Sequence, residues 1–294
     1  MKNKWWQHVF LSLIVSAVIA VVTPLHVFGE ETAREWTIAG GVYSNDVLQV
    51  SNMTADTRAV DFKPDGTLVF VLGRATVNVA MYELQIPWVL TSGVQRASFD
   101  LSHEVGQRNQ GYVPHGLFLR KPAGDRMFVW NRTEMFEYEL KTPWDITTAR
   151  AIGYKSLRPH VVRGHDIDFA PDGTRLYVDD RGLGKVVQFD LQPAWNIESA
   201  TFSGALNMVK LQKAMRGIQF SPSGKRLFVL DTWLKQIFEF EVETPWDVKS
   251  AKLRDTLQLD KKIRDPRNLV WRPDGRVVYI TDTFSGTVRT LVVP

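Results

Sequence analysis

Ile218-Gln219-Phe220-Ser221-Pro222-Ser223-Gly224-Lys225-Arg226-Leu227-Phe228-Val229-Leu230-Asp231 is the stretch that decides the fold. Apolar residues alternate before Pro222, and a run rich in branched and aromatic residues follows Arg226. Between them Pro sets φ and Gly permits positive φ, so the stretch predicts two short strands joined by a tight turn. The unit recurs at 60–66, at 117–124 with one extra residue, at 167–173 and at 269–275. Its prolines, Pro64, Pro122, Pro171, Pro222 and Pro273, stand 58, 49, 51 and 51 residues apart. Trp88, Trp144, Trp195 and Trp246 follow the first four units, mostly within Thr-Pro-Trp-Asp.

Working outward, each unit continues into alternating stretches at 81–84, 136–140, 187–191 and 237–242, the pattern of half-buried strands. No segment after residue 30 has sustained helical periodicity. Four short strands in about 50 residues, repeated, predict an all-β, five-bladed β-propeller of four-stranded antiparallel blades. The chain ends at Pro294, where the third strand of unit five should finish, and 36–50 resembles the outer-strand stretches of the other units. The N-terminal strand is therefore expected to complete the last blade and close the ring.

The chain has 294 residues and a formal net charge of +4. Residues 1–29 carry Lys2 and Lys4 and no acid, which leaves 34 Lys+Arg against 32 Asp+Glu for the rest. So balanced a body gives no reason to expect nucleic-acid binding. Without cysteine there is no disulfide, thiol nucleophile, cysteine zinc site or lipobox. The basic start, the apolar stretch 9–22 and the break at Pro24 have the layout of a secretory signal peptide, with an uncleaved anchor through 9–28 as the alternative. The expected domains are 1–29, signal peptide or membrane anchor, and 30–294, the propeller. The expected location is periplasmic or extracellular, with membrane contact only through an uncleaved N-terminal segment, and the expected state is a monomer.

Over 36–294 these units resemble the NHL/YVTN-type β-propeller repeats of exported bacterial proteins, 218–231 most of all. The resemblance implies the fold and says little of function, since propellers host lectins, hydrolases, lyases and scaffolds.

Aligning the units places one residue per blade at the entry to the innermost strand: Arg58, His115, His165, Arg216 and Arg267. All are Arg or His, and around an axis they would favour an anion. Arg74, Arg132 and Arg181 add charge at the turn after the second strand. That turn also carries Gly73, Asn131, Asp180, Asp231 and Asp282, so Arg216–Asp231, Arg267–Asp282 and His165–Asp180 are candidate salt bridges tying blade to blade. Arg58 faces Gly73 and His115 faces Asn131, which makes blades one and two the expected place for an anionic small molecule or protein partner. The loop at 102–111 belongs to the same corner, because Trp88 to His115 takes 27 residues where the later blades take 21.

Pro114-His115-Gly116-Leu117 resembles the Pro-His-Gly-Ile stretches of streptogramin-type lyases. That resemblance implies histidines working with a divalent metal. Asp166 stands where the other blades have Ala, Gly or Asn, so His115, His165, Asp166 and Asp180 form a candidate mixed N/O metal set. Three function classes follow: a binding funnel for an anion, a metal-dependent lyase or hydrolase, and a scaffold with a purely structural basic ring. Glycosidase chemistry is disfavoured, because it needs paired carboxylates where this chain has Arg and His. The tryptophans beside Pro are expected to pack between blades rather than stack on sugars.

Overall fold

The computed structural model describes residues 35–52, 54–103 and 113–294. The segment 1–29 and most of the loop 102–111 lie outside the described residues. Five sheets of four antiparallel strands make up the propeller. Four are built from consecutive strands; in the fifth, the N-terminal strand Val42–Gln49 pairs with Thr287–Val292 beside Val277–Asp282 and Pro266–Trp271. The register Leu48↔Val288 and Val42↔Val292 fastens the two ends of the chain together. The innermost strands are Thr57–Phe62, Gly116–Leu119, Gly164–Phe169, Met215–Phe220 and Pro266–Trp271, and each neighbours the next around the ring.

The turn after each innermost strand depends on glycine. Gly66, Gly124, Gly173, Gly224 and Gly275 have φ between 69° and 72°. A Cβ on any of them would meet an indole at 2.2–2.3 Å: Trp88, Trp144, Trp195, Trp246 and Trp36 in turn. Four of those tryptophans themselves sit at φ 66–67°, a sparsely populated region for a non-glycine residue. Four of these indoles also pack on an inward ring, Trp88 on Phe62 (5.4 Å), Trp195 on Phe169 (5.4 Å), Trp246 on Phe220 (5.1 Å) and Trp36 on Trp271 (5.0 Å). Tyr177 and Tyr279 reach across to donate hydrogen bonds to the carbonyls of Trp246 (2.6 Å) and Trp88 (2.9 Å) in the next blade. The tryptophans are thus inter-blade packing, and they also close the turns.

The inner edge of each blade turns backbone N–H groups toward the axis, where a β-ladder cannot continue. Side chains of the preceding blade accept several of them. Asp61 takes Leu119 N (2.8 Å), Asp166 takes Ile218 N (3.0 Å), Asp168 takes Phe220 N (2.8 Å), Gln219 takes Trp271 N (2.7 Å) and Asn268 takes Val60 N (3.1 Å). The polar residues along the axis are therefore part of the fold's hydrogen-bonding.

Gly173→Ala tests the turn. It forces a left-handed Cβ residue, costing about 1–2 kcal/mol, and drives a methyl into the Trp195 ring, adding about 1–3 kcal/mol of overpacking. Gly153→Ala, whose Cβ would meet nothing nearer than 4.0 Å, should stay within about 1 kcal/mol of the parent. Chemical denaturation of both variants checks the contrast.

Candidate functional site

At the mouth of the axis the ladder slips in four blades. The register shifts between Thr57 and Ala59, Gly164 and Ile167, Met215 and Gly217, and Pro266 and Leu269. Arg58, His165, Arg216 and Arg267 are the residues inside these bulges. A bulge frees its extra residue from pairing and re-aims the side chain. In blade two, His115 N donates to Trp130 O (2.8 Å) just before the strand starts.

A chain of ring and guanidinium contacts runs across the mouth. Arg132 Nε donates to His115 Nε2 (3.1 Å), His115 Nδ1 lies 3.4 Å from His165 Nδ1, and Arg216 Nη1 lies 2.7 Å from His165 Nδ1. Arginine can only donate. His115 Nε2 must then be a bare acceptor, with its proton on Nδ1 pointing at His165. His115 therefore keeps a lone pair for Arg132, and Arg216 Nη1 also lies 2.8 Å from His165 Nε2, so the guanidinium faces both nitrogens of that ring. Burial, then the surrounding arginines, hold both pKa values well below the usual histidine range. Burial followed by Arg267 pushes Arg58 down to about 10, and burial followed by Arg267, Arg181 and Arg58 pushes Arg216 down to about 9.

The carboxylates are not where the turn alignment put them. The salt bridges Arg216–Asp231, Arg267–Asp282 and His165–Asp180 do not form. Asp180 accepts from the amides of Val162 (2.5 Å), Arg163 (3.2 Å), Gly182 (2.6 Å) and Leu183 (3.0 Å). Asp231 accepts from Lys213, Ala214, Trp233 and Leu234 in the same way. Asp282 accepts from Asp265 N (2.9 Å) and Ser285 Oγ (2.7 Å), with Arg289 at 3.6 Å. These acids clamp the incoming loop to the turn, using donors that an arginine at the bulge cannot displace.

Two mouth arginines pair instead with an acid two residues earlier. Arg58 meets Asp56 at 2.7 Å, Arg74 meets the other oxygen of Asp56, and Arg267 meets Asp265 at 2.5 Å. The spacing Asp56-x-Arg58 and Asp265-x-Arg267 is visible in the sequence and was the available signal. Blade one is therefore compensated, contrary to the expectation that Arg58 lacks a carboxylate. Arg216 is the exception: among the described residues no carboxylate lies within ion-pair distance of it. Arg58, Arg216 and Arg267 each also keep a buried Nε–H without an acceptor. Arg181 lies over the Trp233 ring at 4.6 Å.

The candidate metal set does not converge. Among the described residues no three His, Asp or Glu side chains are gathered as donors. Asp166 turns to Ile218 N and Asn268 Nδ2 (2.7 Å), and Asp180 to its loop amides. His115 and His165 are 4.7 Å apart, edge to face, with their lone pairs toward arginines. Asp179, which the sequence reading passed over, accepts from His165 N (2.7 Å) and Asp166 N (2.6 Å) and so fixes the bulge that aims His165.

No protein-family model matches the chain, and no curated protein is significantly similar to it in sequence. Among solved structures it is similar to the periplasmic gluconolactonase PpgL of Pseudomonas aeruginosa, at 17% identity over 80% of this chain and 66% of that one, with a TM-score of 0.50. It is also similar to the β-propeller domain of Cps50 (Swd1) from Myceliophteria thermophila, at 10% identity over 81% and 83%, TM-score 0.50. The chain spans about two thirds of the gluconolactonase's length. Identities this low show a β-propeller and no more.

Burial pushes the Asp179 carboxyl up to about 8 and Asp168 up to about 7, and raises Asp166 well above the usual range through burial and its neighbour Asp179. In the unfolded chain such carboxyls ionise near pH 4, so from there to about pH 8 the native state binds more protons. Their stabilising contribution is full below the unfolded pKa and is lost as pH rises through the folded values. His115 and His165 act oppositely, stabilising fully above about pH 6.5 and less in acid. Between about pH 6.5 and 8.5 the carboxyls dominate, and stability should fall by up to about 1.4 kcal/mol per proton per pH unit. Asp179→Asn, which keeps a carbonyl for the His165 and Asp166 amides, should flatten that slope in denaturant titrations at the two pH values.

Proposed function

We propose that the funnel mouth binds a small organic anion, a carboxylate or a phosphate ester, with Arg216 as its central donor. Arg58 and Arg267 flank it, and Arg74, Arg132 and Arg181 reinforce the positive field. One observation carries this: Arg216 sits half-buried beside other guanidiniums and a neutral imidazole, with no described carboxylate to pair with. An anion there would gain charge-assisted, bidentate hydrogen bonds and would relieve the repulsion that depresses the Arg216 pKa. Export through residues 1–29 and a monomeric state belong to the same proposal and rest on the sequence.

A hydrolase is the second reading, supported by the contact between a neutral His165 and Arg216. Water attack on a sugar lactone releases a carboxylate, the anion class the mouth would hold, and the fold is shared with a gluconolactonase. General-base catalysis works best when the base has a pKa near the working pH. Both imidazoles lie well below that, so binding is favoured over chemistry. A metal-dependent lyase has less support, since the described residues gather no donor set.

Thermal shift with gluconate and with inorganic phosphate tests the proposal. Both should raise Tm, and the gain should shrink as salt screens the charges. Arg216→Leu should raise the Tm of the ligand-free protein, because it removes an uncompensated buried cation, and should weaken anion binding at least about tenfold. A lower Tm in that variant, with no anion effect in the parent, would identify a scaffold whose basic residues are structural.

A further inference from the structure

We propose that a cavity at the opposite end of the axis binds a small organic cation. The innermost strands run from the arginine mouth to the proline turns, and where they end the axis opens into a space of about 170 Å³. Half-buried Trp88, Trp195 and Trp246 stand at its rim, each packed against a phenylalanine ring at 5.1–5.4 Å. An apolar cavity of about 150 Å³ accepts a benzene-sized guest, so this one can take a trimethylammonium or aromatic group.

The charge at its base selects among such guests. Lys121 lies in the cavity wall with its Nζ 2.6 and 2.8 Å from the two Asp61 oxygens. That cation is therefore consumed by a carboxylate already there. Asp168, 7% exposed, spends its two oxygens on the amides of Phe169 (2.9 Å) and Phe220 (2.8 Å), and no described basic side chain lies within ion-pair distance of it. Two carboxyls thus stand against one ammonium, which lies over the Phe118 ring at 4.6 Å, beneath a rim of indole faces, and a bound cation would hold Asp168 in its charged form. Aromatic faces attract cations through the ring quadrupole, and more strongly when the cation is desolvated. An anion would meet only a neutralised lysine. An uncharged guest would cover Asp168 without giving it a partner. A cation satisfies the rim and the carboxylate at once.

The experiment titrates the full chain with choline and with its uncharged carbon isostere 3,3-dimethylbutan-1-ol, followed by tryptophan fluorescence and calorimetry. Choline should bind at least about tenfold more tightly than the alcohol, a difference in the range of a desolvated cation–π contact. Asp168→Asn should remove most of that preference. Lys121→Met, which releases Asp61, should tighten choline, and it decides the matter if Asp168→Asn fails to fold. Equal binding of the two probes would reduce the cavity to an apolar void. No binding of either probe, or no tightening in Lys121→Met, would overturn the site.

Discussion

The inner edge of a propeller blade cannot be left as a bare strand edge. Its N–H groups face an axis too narrow for another strand, and burying an amide without an acceptor costs about 1–3 kcal/mol. This chain meets the constraint with acceptors from the neighbouring blade, and the exceptions explain its acids. Blade two offers Gly116 and Phe118, neither with an acceptor. Blade three then carries Asp166 and Asp168, the second taking the amide of Phe169 in its own strand as well as Phe220 in the next. Blade five offers Val270, and blade one answers with Asp61, which takes its own Phe62 N (2.8 Å) and Leu119 N. Asp168 thus supplies the acceptor that blade two lacks, while Asp166, which departs from its siblings in the sequence, accepts from Ile218 N and Asn268 Nδ2 of the two following blades.

The same economy operates at the mouth with the opposite sign. Bulges in four blades, and the strand entry at His115 in the fifth, bring one basic residue per blade to the mouth, and Asp180, Asp231 and Asp282 are committed to loop amides. Asp56 and Asp265 compensate three guanidiniums, and two neutral imidazoles accept from Arg132 and Arg216. Arg58, Arg216 and Arg267 still each keep a buried Nε–H without an acceptor. A half-buried guanidinium whose nearest described partner is an imidazole and not a carboxylate costs stability relative to a paired one.

How much of this was legible follows from the range of each interaction. The Pro-x-Gly turns, the strand alternation and the closing N-terminal strand are local or repeated patterns, and the sequence carries them openly. The five mouth residues were legible too, because repeat alignment assigns equivalent positions. Their partners were not. Asp231 and Arg216 look complementary in an alignment of turns, but four amides compete for the aspartate at closer range, and Asp56 lies on an irregular segment outside the repeat. The tryptophans read correctly as packing. That their rims leave a cavity at the axis depends on five blades meeting, which no single repeat encodes.

A ring of equivalent blades has no site until its symmetry is broken, and blade two is where this one breaks. Its turn has one residue more than the others, Leu119 replaces the inward aromatic, and Trp144 is absent from the axial cavity that the other blades' tryptophans line. The space so released admits Phe118 and Lys121. At the other end the same blade supplies His115, whose lone pair takes Arg132 and whose Nδ1 faces His165. Asp168 of blade three takes the Phe169 amide, for which Phe118 of blade two offers no acceptor. The irregularities at both ends of the axis therefore meet at the junction of blades two and three, while blades one, four and five bring Arg58, Arg216 and Arg267 to the mouth. The regular positions are held by the turn, the indole and the inter-blade hydrogen bonds that keep the ring closed, so departures from the repeat are confined to residues those contacts leave free.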